Sequence, residues 1–305
     1  MSEDFSVLIP AHGSCEFLEQ ALESICMSSL LPDRVVIVDD GVTDLAMTAI
    51  LNFSSRLVLH IEPNRGSGLV DALNTGIEVI NTSFIARLDA DDVVTQDRFA
   101  LQVSAMLVDP DIAVLGGQVQ YINSEGRFLG KSEYFTGTLN NLNQFESKCL
   151  IAHPSAMIRR KALLEVGGYR SICRKGRTDI AEDFDLWLRI SKVGKVCNLN
   201  HTILFYRQHP DQLSSKHTPE QLFSTRYVSL INQASSADPF FEPRKLSLNR
   251  HKFDFLFDAY SSLSAFASRK ERVTLVLEGF LISIGMPSGI FARLIRKIIR
   301  VTANS

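Results

Sequence analysis

Short apolar runs alternate with helical periodicities along the first 110 residues. Four runs predict buried strands, because each is apolar throughout and stops at polar residues; they cover residues 5–9, 35–38, 57–61 and 84–88. After each run, apolar residues recur at helical spacing, which predicts helices over residues 16–27, 44–52, 69–80 and 98–108. This alternation is typical of a parallel sheet with right-handed helical crossovers.

Each of the four predicted strands is followed by polar or turn-forming residues. In chain order these are Pro10-Ala11-His12, Asp39-Asp40, Pro63-Asn64-Arg65 and Asp89-Ala90-Asp91-Asp92. Ligands of open α/β sheets bind beyond the carboxyl ends of the strands, where these groups would lie side by side. We therefore expect one crevice to collect several carboxylates, a histidine and an arginine.

The fourth group places three carboxylates, Asp89, Asp91 and Asp92, within four residues. Carboxylates this close repel each other and raise one another's pKa unless a cation lies between them. Hard divalent ions such as Mg2+ or Mn2+ bind carboxylate oxygens and bridge them to substrate phosphates. The alternative is a solvated acidic turn that caps the next helix.

Beyond residue 110 the pattern becomes mixed. Strands are predicted over residues 113–122 with a break at Gly116-Gly117, over 153–158, and in two segments around 196 and 203–206. Helices are predicted up to Gly167-Gly168 and over 181–192. From residue 219 onward only helices are predicted, so we place a domain boundary near residue 215. The expected organisation is an α/β domain over residues 1–215 and a helical region over 216–305.

One carboxylate lies on the apolar side of the helix predicted over 181–192. On a helical wheel Asp183 projects from the apolar face that carries Leu186 and Trp187, whereas Glu182 lies at its margin. Partial desolvation raises the pKa of a carboxylate and makes it a better general base. Asp185 and Arg189 are predicted to form a surface ion pair. The alternative is that Asp183 only caps the helix.

Composition limits the classes of function. At 305 residues, with 45% apolar and 22% charged residues, the chain is an ordinary globular protein of one large domain with or without an appendage. The net charge of −2 gives no indication of nucleic-acid binding. Five scattered cysteines without CxxC spacing favour a reducing compartment without disulfides or zinc. An acidic start argues against a signal peptide, and no window has the length of a membrane span. We expect a cytoplasmic protein.

Several stretches, in this order, resemble the inverting family 2 glycosyltransferases, in the branch that builds bacterial exopolysaccharide, capsule or O-antigen. They are Val7-Leu8-Ile9-Pro10, Val36-Ile37-Val38-Asp39-Asp40-Gly41-Val42-Thr43-Asp44, Asn64-Arg65-Gly66-Ser67-Gly68-Leu69, Ala72-Leu73-Asn74-Thr75-Gly76-Ile77, Ile85-Ala86-Arg87-Leu88-Asp89-Ala90-Asp91-Asp92, His153-Pro154-Ser155-Ala156-Met157, Gly167-Gly168-Tyr169, Glu182-Asp183-Phe184-Asp185-Leu186-Trp187-Leu188-Arg189 and Tyr206-Arg207-Gln208-His209. The last 90 or so residues lie outside the resemblance.

The resemblance implies a GT-A fold, a Rossmann-like mixed sheet flanked by helices, here with a C-terminal helical appendage. Residues 1–110 would bind the nucleotide sugar and residues 111–215 the acceptor and the base. The implied activity is metal-dependent transfer, with inversion, of a sugar from a nucleotide-diphosphate donor to a hydroxyl of a saccharide acceptor. Relatives in this branch often use lipid-linked acceptors, so the expected acceptor is a lipid-linked, undecaprenyl-type intermediate.

Individual roles are also implied by the resemblance. Pro10 and Asp40 match positions that line the base, with Asp39 beside them. The DxD cluster of Asp89, Asp91 and Asp92 would hold Mn2+ or Mg2+, and His209 would complete the metal shell. Glu182 and Asp183 match the catalytic-base motif, and Arg207 would offset charge on the leaving group. The other residues expected to contact the nucleotide sugar are Ala11, His12, Asn64, Arg65, Gly68 and Ala90.

Two positions depart from the family pattern, and both concern the donor. Ala11-His12-Gly13 stands where a Tyr-Asn pair is usual after the first strand, and Val42 stands where Ser usually follows Asp-Asp-Gly. We favour UDP, because a carboxylate at Asp40 suits the N3–H of uracil. The N1–H of guanine is also a donor, so GDP stays an alternative.

Two other functions are alternatives to glycosyl transfer. A sugar-phosphate nucleotidylyltransferase would need a glycine-rich loop with Arg or Lys after the first strand, but residues 12–16 read His-Gly-Ser-Cys-Glu. A non-catalytic relative that binds sugar nucleotides would not need its acids and histidine, whereas Asp89, Asp91, Asp183 and His209 are all present.

The end of the chain predicts a basic amphipathic helix. Between residues 289 and 301, apolar side chains cover one half of a helical wheel and four cationic ones occupy the other half. A helix of this kind lies in a membrane interface or docks on a partner. We expect residues 288–305 to bind an anionic membrane surface, which would make the protein peripheral at the inner face of the plasma membrane. The alternative is that the helix packs on the α/β domain.

Overall fold

The structure, a computed structural model, describes residues 4–138, 151–171, 181–209 and Val228. The strands are β1 (Phe5–Gly13), β2 (Arg34–Val42), β3 (Leu59–Pro63), β4 (Phe84–Arg87), β5 (Val93–Val94), β6 (Ile112–Ile122), β7 (Phe128–Lys131), β8 (Gly137–Thr138), β9 (Met157–Arg159) and β10 (Lys195–Arg207). The helices are α1 (Leu18–Cys26), α2 (Asp44–Leu51), α3 (Leu69–Val79), α4 (Arg98–Val108), α5 (Arg160–Glu165) and α6 (Glu182–Ile190).

The strands form one mixed sheet in the order β3-β2-β1-β4-β9-β6-β10-β5, with β7 on β6 and β8 on β10. The first four strands in this order are parallel. Strand β9 runs antiparallel to both β4 and β6, and β10 is parallel to β6. The mixed α/β sheet expected from the sequence is confirmed, and the predicted strands of the first 110 residues lie side by side.

The core is built on the two faces of β1 and β2. Both strands are apolar on both faces because helices cover both. On one side, Phe5 packs on Phe99 of α4 with ring centroids 5.0 Å apart. On the other side, Leu8 lies against α3. Each fully buried side chain of this size contributes about 1.5–3 kcal/mol of transfer free energy.

Three segments beyond residue 110 differ from the prediction. Strand β6 runs unbroken through Gly116 and Gly117. These glycines serve close packing, because a Cβ on Gly116 would lie 2.4 Å from the Asn198 side chain and one on Gly117 would lie 2.8 Å from Ile203. Residues His153–Ser155 form a 3-10 turn in place of a strand. The two strands predicted near 196 and 203–206 are one strand, β10, with irregular register on β6.

By contacts the chain divides into two compact units. The described part of the first comprises residues 4–138, 151–169 and 189–209, which contain the whole sheet. The described part of the second comprises residues 170–171 and 181–188 and Val228. The boundary predicted near residue 215, most of the helical region 216–305 and the basic helix of 288–305 lie outside the described residues. Among the helices of the described residues, none is long and apolar enough to cross a membrane.

The close approach of α3 to β1 makes a testable prediction at Gly76. A Cβ at this position would lie 2.2 Å from Cδ1 of Leu8 and 3.1 Å from Cγ2 of Val38, and both neighbours are buried. Overpacking outweighs the better helix propensity of alanine, so Gly76→Ala should lower the free energy of unfolding by about 1–3 kcal/mol. The measurement is urea unfolding followed by circular dichroism. Gly130→Ala, where a Cβ has open space, is the control. Equal stability of the two variants would contradict the prediction.

Candidate active site

The carboxyl ends of β2 and β3 are joined by the side chain of Asp40. Its Oδ1 accepts a hydrogen bond from Nδ2 of Asn64 at 2.7 Å, and its Oδ2 accepts one from the backbone N–H of Gly68 at 3.0 Å. Gly68 has φ +83° at the start of α3, a conformation that favours glycine. Three of the residues predicted to bind the nucleotide therefore form one linked structure.

Asp39 stabilises the carboxyl end of β2. Its Oδ1 accepts hydrogen bonds from the backbone N–H groups of Gly41, at 2.9 Å, and Val42, at 2.7 Å. Asp39 bonds only the backbone N–H of Val42. This contact therefore does not depend on the serine side chain that is usual at position 42. The Asp39 side chain thus holds the end of the strand that carries Asp40.

His12, Ala11 and Arg65, which were also predicted to contact the nucleotide sugar, differ in their exposure and in their contacts. The His12 side chain is 79% exposed, and its Nδ1 lies 2.5 Å from the backbone oxygen of Asp40. Ala11 is buried. The Arg65 guanidinium makes ion pairs with Glu62 and Glu78 on the surface. The structure thus brings His12 to Asp40, while the charge of Arg65 is held by two neighbouring glutamates.

The three acids at the end of β4 form one cluster. Carboxylate oxygens of Asp89, Asp91 and Asp92 lie within 4.8 Å of one another. Asp92 is fully buried, and its Oδ1 accepts a hydrogen bond from the backbone N–H of Arg207 at 2.8 Å. Burial, together with the charges of Asp89 and Asp91, raises the pKa of Asp92 well above its usual range. Burial also raises the pKa of Asp89, against the opposing effect of Arg87.

A divalent cation fits this cluster. Among the described residues, Oδ2 of Asp92 is buried and has no hydrogen-bond partner. A buried carboxylate oxygen without a partner is costly, and a bound cation would remove that cost. Oxygen donors of this kind suit Mg2+ and Mn2+. The acid cluster was predicted from the sequence, and its geometry is compatible with that prediction.

The end of β10 brings His209 and Arg207 to the acid cluster. Nε2 of His209 lies 2.9 Å from Oδ2 of Asp91, so the histidine adjoins the predicted metal site. Arg207 is 1% exposed, and its Nε donates to the backbone oxygen of Asp91 at 2.8 Å. Its other two nitrogens donate to the Gln20 side chain and to the backbone oxygens of Asn123 and Ser124. The guanidinium also stacks over the Phe17 ring at 4.3 Å. Arg207 thus links the loop that carries Asp91 to the end of β10.

Two buried arginines near the acids were missed by sequence reasoning. Nη1 of Arg87 lies 2.5 Å from Oδ2 of Asp89, so the two residues form a buried ion pair. Nη2 of Arg98 donates to the backbone oxygen of Arg87 at 2.8 Å, and its Nε donates to Gln102 at 3.1 Å. The available signal was a charged residue, Arg87, inside an apolar strand, since such a charge is buried only with a partner.

A second network missed from the sequence links α3 to the residues that follow α5. The side chain of Asn74 bonds both backbone groups of Tyr169, each at 2.9 Å. The hydroxyl of Tyr169 lies 2.8 Å from Nε2 of His153, which is itself buried. Electrostatic interaction with His153 lowers the pKa of Asp89, against the larger effect of burial, and interaction with Tyr169 raises the pKa of Arg87. His153 therefore has a structural hydrogen-bond partner in Tyr169.

The predicted base motif lies in the first turn of α6, in the second unit. The residue before the helix, Ala181, has φ +76°, which is uncommon for a residue other than glycine. Asp183 is half-buried, and its Oδ1 accepts a hydrogen bond from the backbone N–H of Phe184 at 2.7 Å. Glu182 is 7% exposed, so it is not at a solvated margin of the helix as the wheel predicted.

The predicted surface ion pair between Asp185 and Arg189 is wrong. Both residues are buried, with exposures of 1% and 8%. Asp185 pairs instead with Arg170, whose Nε donates to its Oδ2 at 3.0 Å. A wheel divides a helix into one buried and one exposed face, but α6 is buried nearly all round.

Comparison with known proteins identifies the family. Residues 6–167 match the family described as glycosyl transferase family 2. The chain belongs to this family. It is therefore a glycosyltransferase, as the motifs predicted. A relative from Erwinia amylovora, the amylovoran biosynthesis glycosyltransferase AmsE, is 30% identical over 70% of this chain and 79% of its own.

Another relative and two solved structures are also similar to this glycosyltransferase. The UDP-Gal:alpha-D-GlcNAc-diphosphoundecaprenol beta-1,3-galactosyltransferase of Escherichia coli is 27% identical over 62% of this chain and 69% of its own. Among solved structures, S. aureus TarS in complex with UDP-GlcNAc superimposes with a TM-score of 0.61 at 16% identity, covering 98% of this chain and 92% of that one. The mannosyltransferase PcManGT from Pyrobaculum calidifontis, in complex with GDP-Man and Mn2+, gives a TM-score of 0.54 at 14% identity, with 98% and 80% covered. The expected fold is confirmed.

The double contact of Asp40 yields a second testable prediction. Asp40→Asn replaces one acceptor oxygen by an amide that cannot accept from Asn64 or Gly68. Loss of a charge-assisted hydrogen bond should lower the free energy of unfolding by about 1.5–3 kcal/mol, measured by chemical denaturation. Asp97→Asn is the control, because Asp97 is exposed and makes no side-chain capping bond. If both variants unfold at the same denaturant concentration, Asp40 does not hold the two loops together.

Proposed function

We propose that this glycosyltransferase is a metal-dependent, inverting enzyme that transfers a sugar from a UDP-sugar to a hydroxyl of a lipid-linked saccharide. The observation that carries the proposal is the grouping of residues at one sheet edge. Asp40 and the segment that it bonds lie at the ends of β2 and β3, and the acid cluster of Asp89, Asp91 and Asp92 follows β4, in the same run of four parallel strands. A nucleotide held by the loops would have its diphosphate near the acids, because ligands of such sheets bind across these strand ends.

Uracil is the base that Asp40 suits best. Each carboxylate oxygen has two lone pairs, so the bonds to Asn64 and Gly68 leave Asp40 able to accept a further N–H. The E. coli relative is named for UDP-Gal, and the TarS structure holds UDP-GlcNAc. Both support UDP. The GDP-Man of PcManGT keeps guanine as the alternative.

A lipid-linked acceptor is supported by the same E. coli relative, whose name gives a diphosphoundecaprenol acceptor. The relative from Erwinia amylovora is named for the biosynthesis of amylovoran. We assign this enzyme to the assembly of a bacterial surface polysaccharide. An acceptor of this kind places the reaction at the inner face of the plasma membrane, where residues 288–305 would meet anionic head groups.

Asp91, Asp89, Asp92 and His209 would hold the divalent cation. When bound, the cation supplies positive charge that stabilises the leaving diphosphate. Arg207 fixes the loop of Asp91 through the bond from its Nε and through its stacking on Phe17. The acceptor hydroxyl attacks the anomeric carbon from the face opposite the diphosphate, and the bond from that carbon to the diphosphate oxygen breaks. Attack from the opposite face inverts the anomeric configuration.

Asp183 is the proposed general base, which takes the proton of the attacking hydroxyl. Of the two acids in the motif it is the more exposed, whereas Glu182 is 7% exposed. A base must reach its proton within hydrogen-bond distance, so the more accessible carboxylate is favoured. The hydrogen bond from the backbone of Phe184 fixes the orientation of its carboxylate.

The function is tested by following release of UDP from UDP-sugars in the presence of a polyprenyl-diphosphate-linked sugar. We expect release with Mn2+ or Mg2+ and none in excess EDTA. Asp91→Asn should lower the rate by two or more orders of magnitude, because it weakens the proposed cation site. Asp97→Asn, on the exposed surface before α4, should retain full activity. Full activity in EDTA would exclude the metal role. No release from any sugar nucleotide would contradict the proposed function.

The base is tested by comparing Asp183→Asn with Glu182→Gln. Asp183→Asn removes proton acceptance but keeps the shape, so transfer should fall by about 100-fold or more while binding of UDP is unchanged. Glu182→Gln should reduce transfer less. The measurements are single-turnover transfer rates and calorimetric titration with UDP. If the Glu182 change lowers the chemical step more, the assignment of Asp183 is wrong.

A further inference from the structure

Strand β3 forms one edge of the sheet. It stands first in the strand order, and within the described residues its strand neighbour is β2 alone. An edge strand carries a row of unpaired backbone groups that can pair with another chain, and proteins commonly guard such a row with lysine, proline or a bulge. The sequence of β3, Leu-His-Ile-Glu-Pro, has no lysine, and its register on β2 is regular. Its proline, Pro63, closes only the end of the strand, so the rest of the edge is open to a partner strand.

The direction of the backbone groups shows which residues offer hydrogen bonds at this edge. The backbone oxygen of Val58 and the backbone N–H of Asn64 both bond β2, at 2.9 and 2.8 Å. Backbone groups alternate in direction along a strand, so those of residues 60 and 62 also point to β2. The N–H and C=O groups of Leu59 and Ile61 therefore point away from β2, toward the open edge.

The two faces of β3 differ in polarity. Leu59 and Ile61 lie partly buried against the core, and they line an open groove of about 560 Å3 together with Leu51, which is 53% exposed. His60 and Glu62 alternate with them and so lie on the opposite face. Nε2 of His60 lies 3.1 Å from Oε2 of Glu62, and both side chains are partly exposed. The edge thus has an apolar face and a polar face.

This pattern of side chains is complementary to itself. Two copies of a chain related by a two-fold axis would pair their edge strands antiparallel, with opposite residues on the same face. With Ile61 opposite Ile61, His60 of each copy lies opposite Glu62 of the other, so an imidazole meets a carboxylate twice. Centring the pair on His60 would set the two histidines opposite each other, and centring it on Glu62 would set two carboxylates opposite each other. Like charges directly opposite destabilise a strand pair, so the register centred on Ile61 is favoured.

The same register uses the backbone groups at the open edge. Each Ile61 N–H would donate to the Ile61 oxygen of the other copy, and each Leu59 N–H would donate to the oxygen of Pro63. Pro63 has no N–H of its own, so the pairing ends there. On the apolar face, the groove beside Leu59 and Ile61 would adjoin the groove of the second copy. Backbone, charge and apolar surface all select one occupant, which is a second copy of this chain.

We propose that β3 is a dimerisation edge, at which two copies of this chain pair antiparallel about a two-fold axis at Ile61 and join their sheets into one. The inference goes beyond the proposed function and does not depend on it. It assigns to His60 and Glu62 the role of fixing the register of the pair.

The test measures the mass of the full chain by sedimentation velocity at concentrations from about 1 to 100 µM. The wild-type protein should form dimers in this range. Glu62→Lys sets a lysine opposite His60, and His60→Glu sets two carboxylates opposite each other. Each change acts at both symmetric pairs, so each should raise the dissociation constant of the dimer by about tenfold or more. The double variant with both changes restores opposite charges and should return the dissociation constant to within about threefold of the wild type.

Glu125→Lys is the matched control, because Glu125 also pairs with a cationic residue two positions away, Arg127, and both are exposed between β6 and β7. It should dimerise as the wild type does, and circular dichroism checks that every variant is folded. A wild-type chain that stays monomeric over the whole range would overturn the inference. A dimer that Glu62→Lys leaves unchanged would place the interface elsewhere and overturn it too. Failure of the double variant to recover the dimer would contradict the register.

Discussion

Three carboxylates within 4.8 Å of one another at the end of β4 repel each other, and the neighbouring elements are built to offset that repulsion. Strand β4 contributes Arg87, α4 contributes Arg98, and β10 contributes the backbone N–H and side chain of Arg207. Arg207 lies far along the chain from the other two residues. Their convergence on one loop explains why charged side chains lie inside an otherwise apolar sheet.

The nucleotide end of the site is organised by hydrogen bonds in place of charge pairs. Asp39 accepts hydrogen bonds from the end of β2, and Asp40 accepts them from the loop after β3. The same loop is bonded from α3, since Thr75 accepts from the backbone of Arg65. A site ordered before the ligand arrives loses less conformational entropy on binding. Both halves of the proposed donor site are thus held by the protein itself.

The comparisons separate what the fold provides from what varies within it. TarS and PcManGT share the fold at 16% and 14% identity, yet their structures hold UDP-GlcNAc and GDP-Man. The same fold therefore occurs in structures that hold different nucleotide sugars. In this chain His12 and Asp40 are among the exposed and partly exposed groups at the strand ends. Fold alone does not identify a substrate.

The sequence by itself determined the first four strands, their helices and most of the residues that converge at their ends. Buried parallel strands are continuous apolar runs, and polar residues at their carboxyl ends must meet because neighbouring strands run in one direction. Asp40, Asp89, Asp91 and Asp92 could therefore be found from local pattern alone. The family resemblance added His209, which local pattern did not single out.

Only the tertiary structure decided how the charges are balanced and how the later segments pair. The continuity of β6 through Gly116 depends on a side chain of β10, and the partner of Asp185 is Arg170, outside its own helix. The burial of Arg98 and Arg207 next to the acids depends on the packing of α4 and β10 against the end of β4. A periodicity reports which face of an element is buried, but it does not report what that face meets. Those contacts join residues distant in sequence, so the folded chain alone defines them.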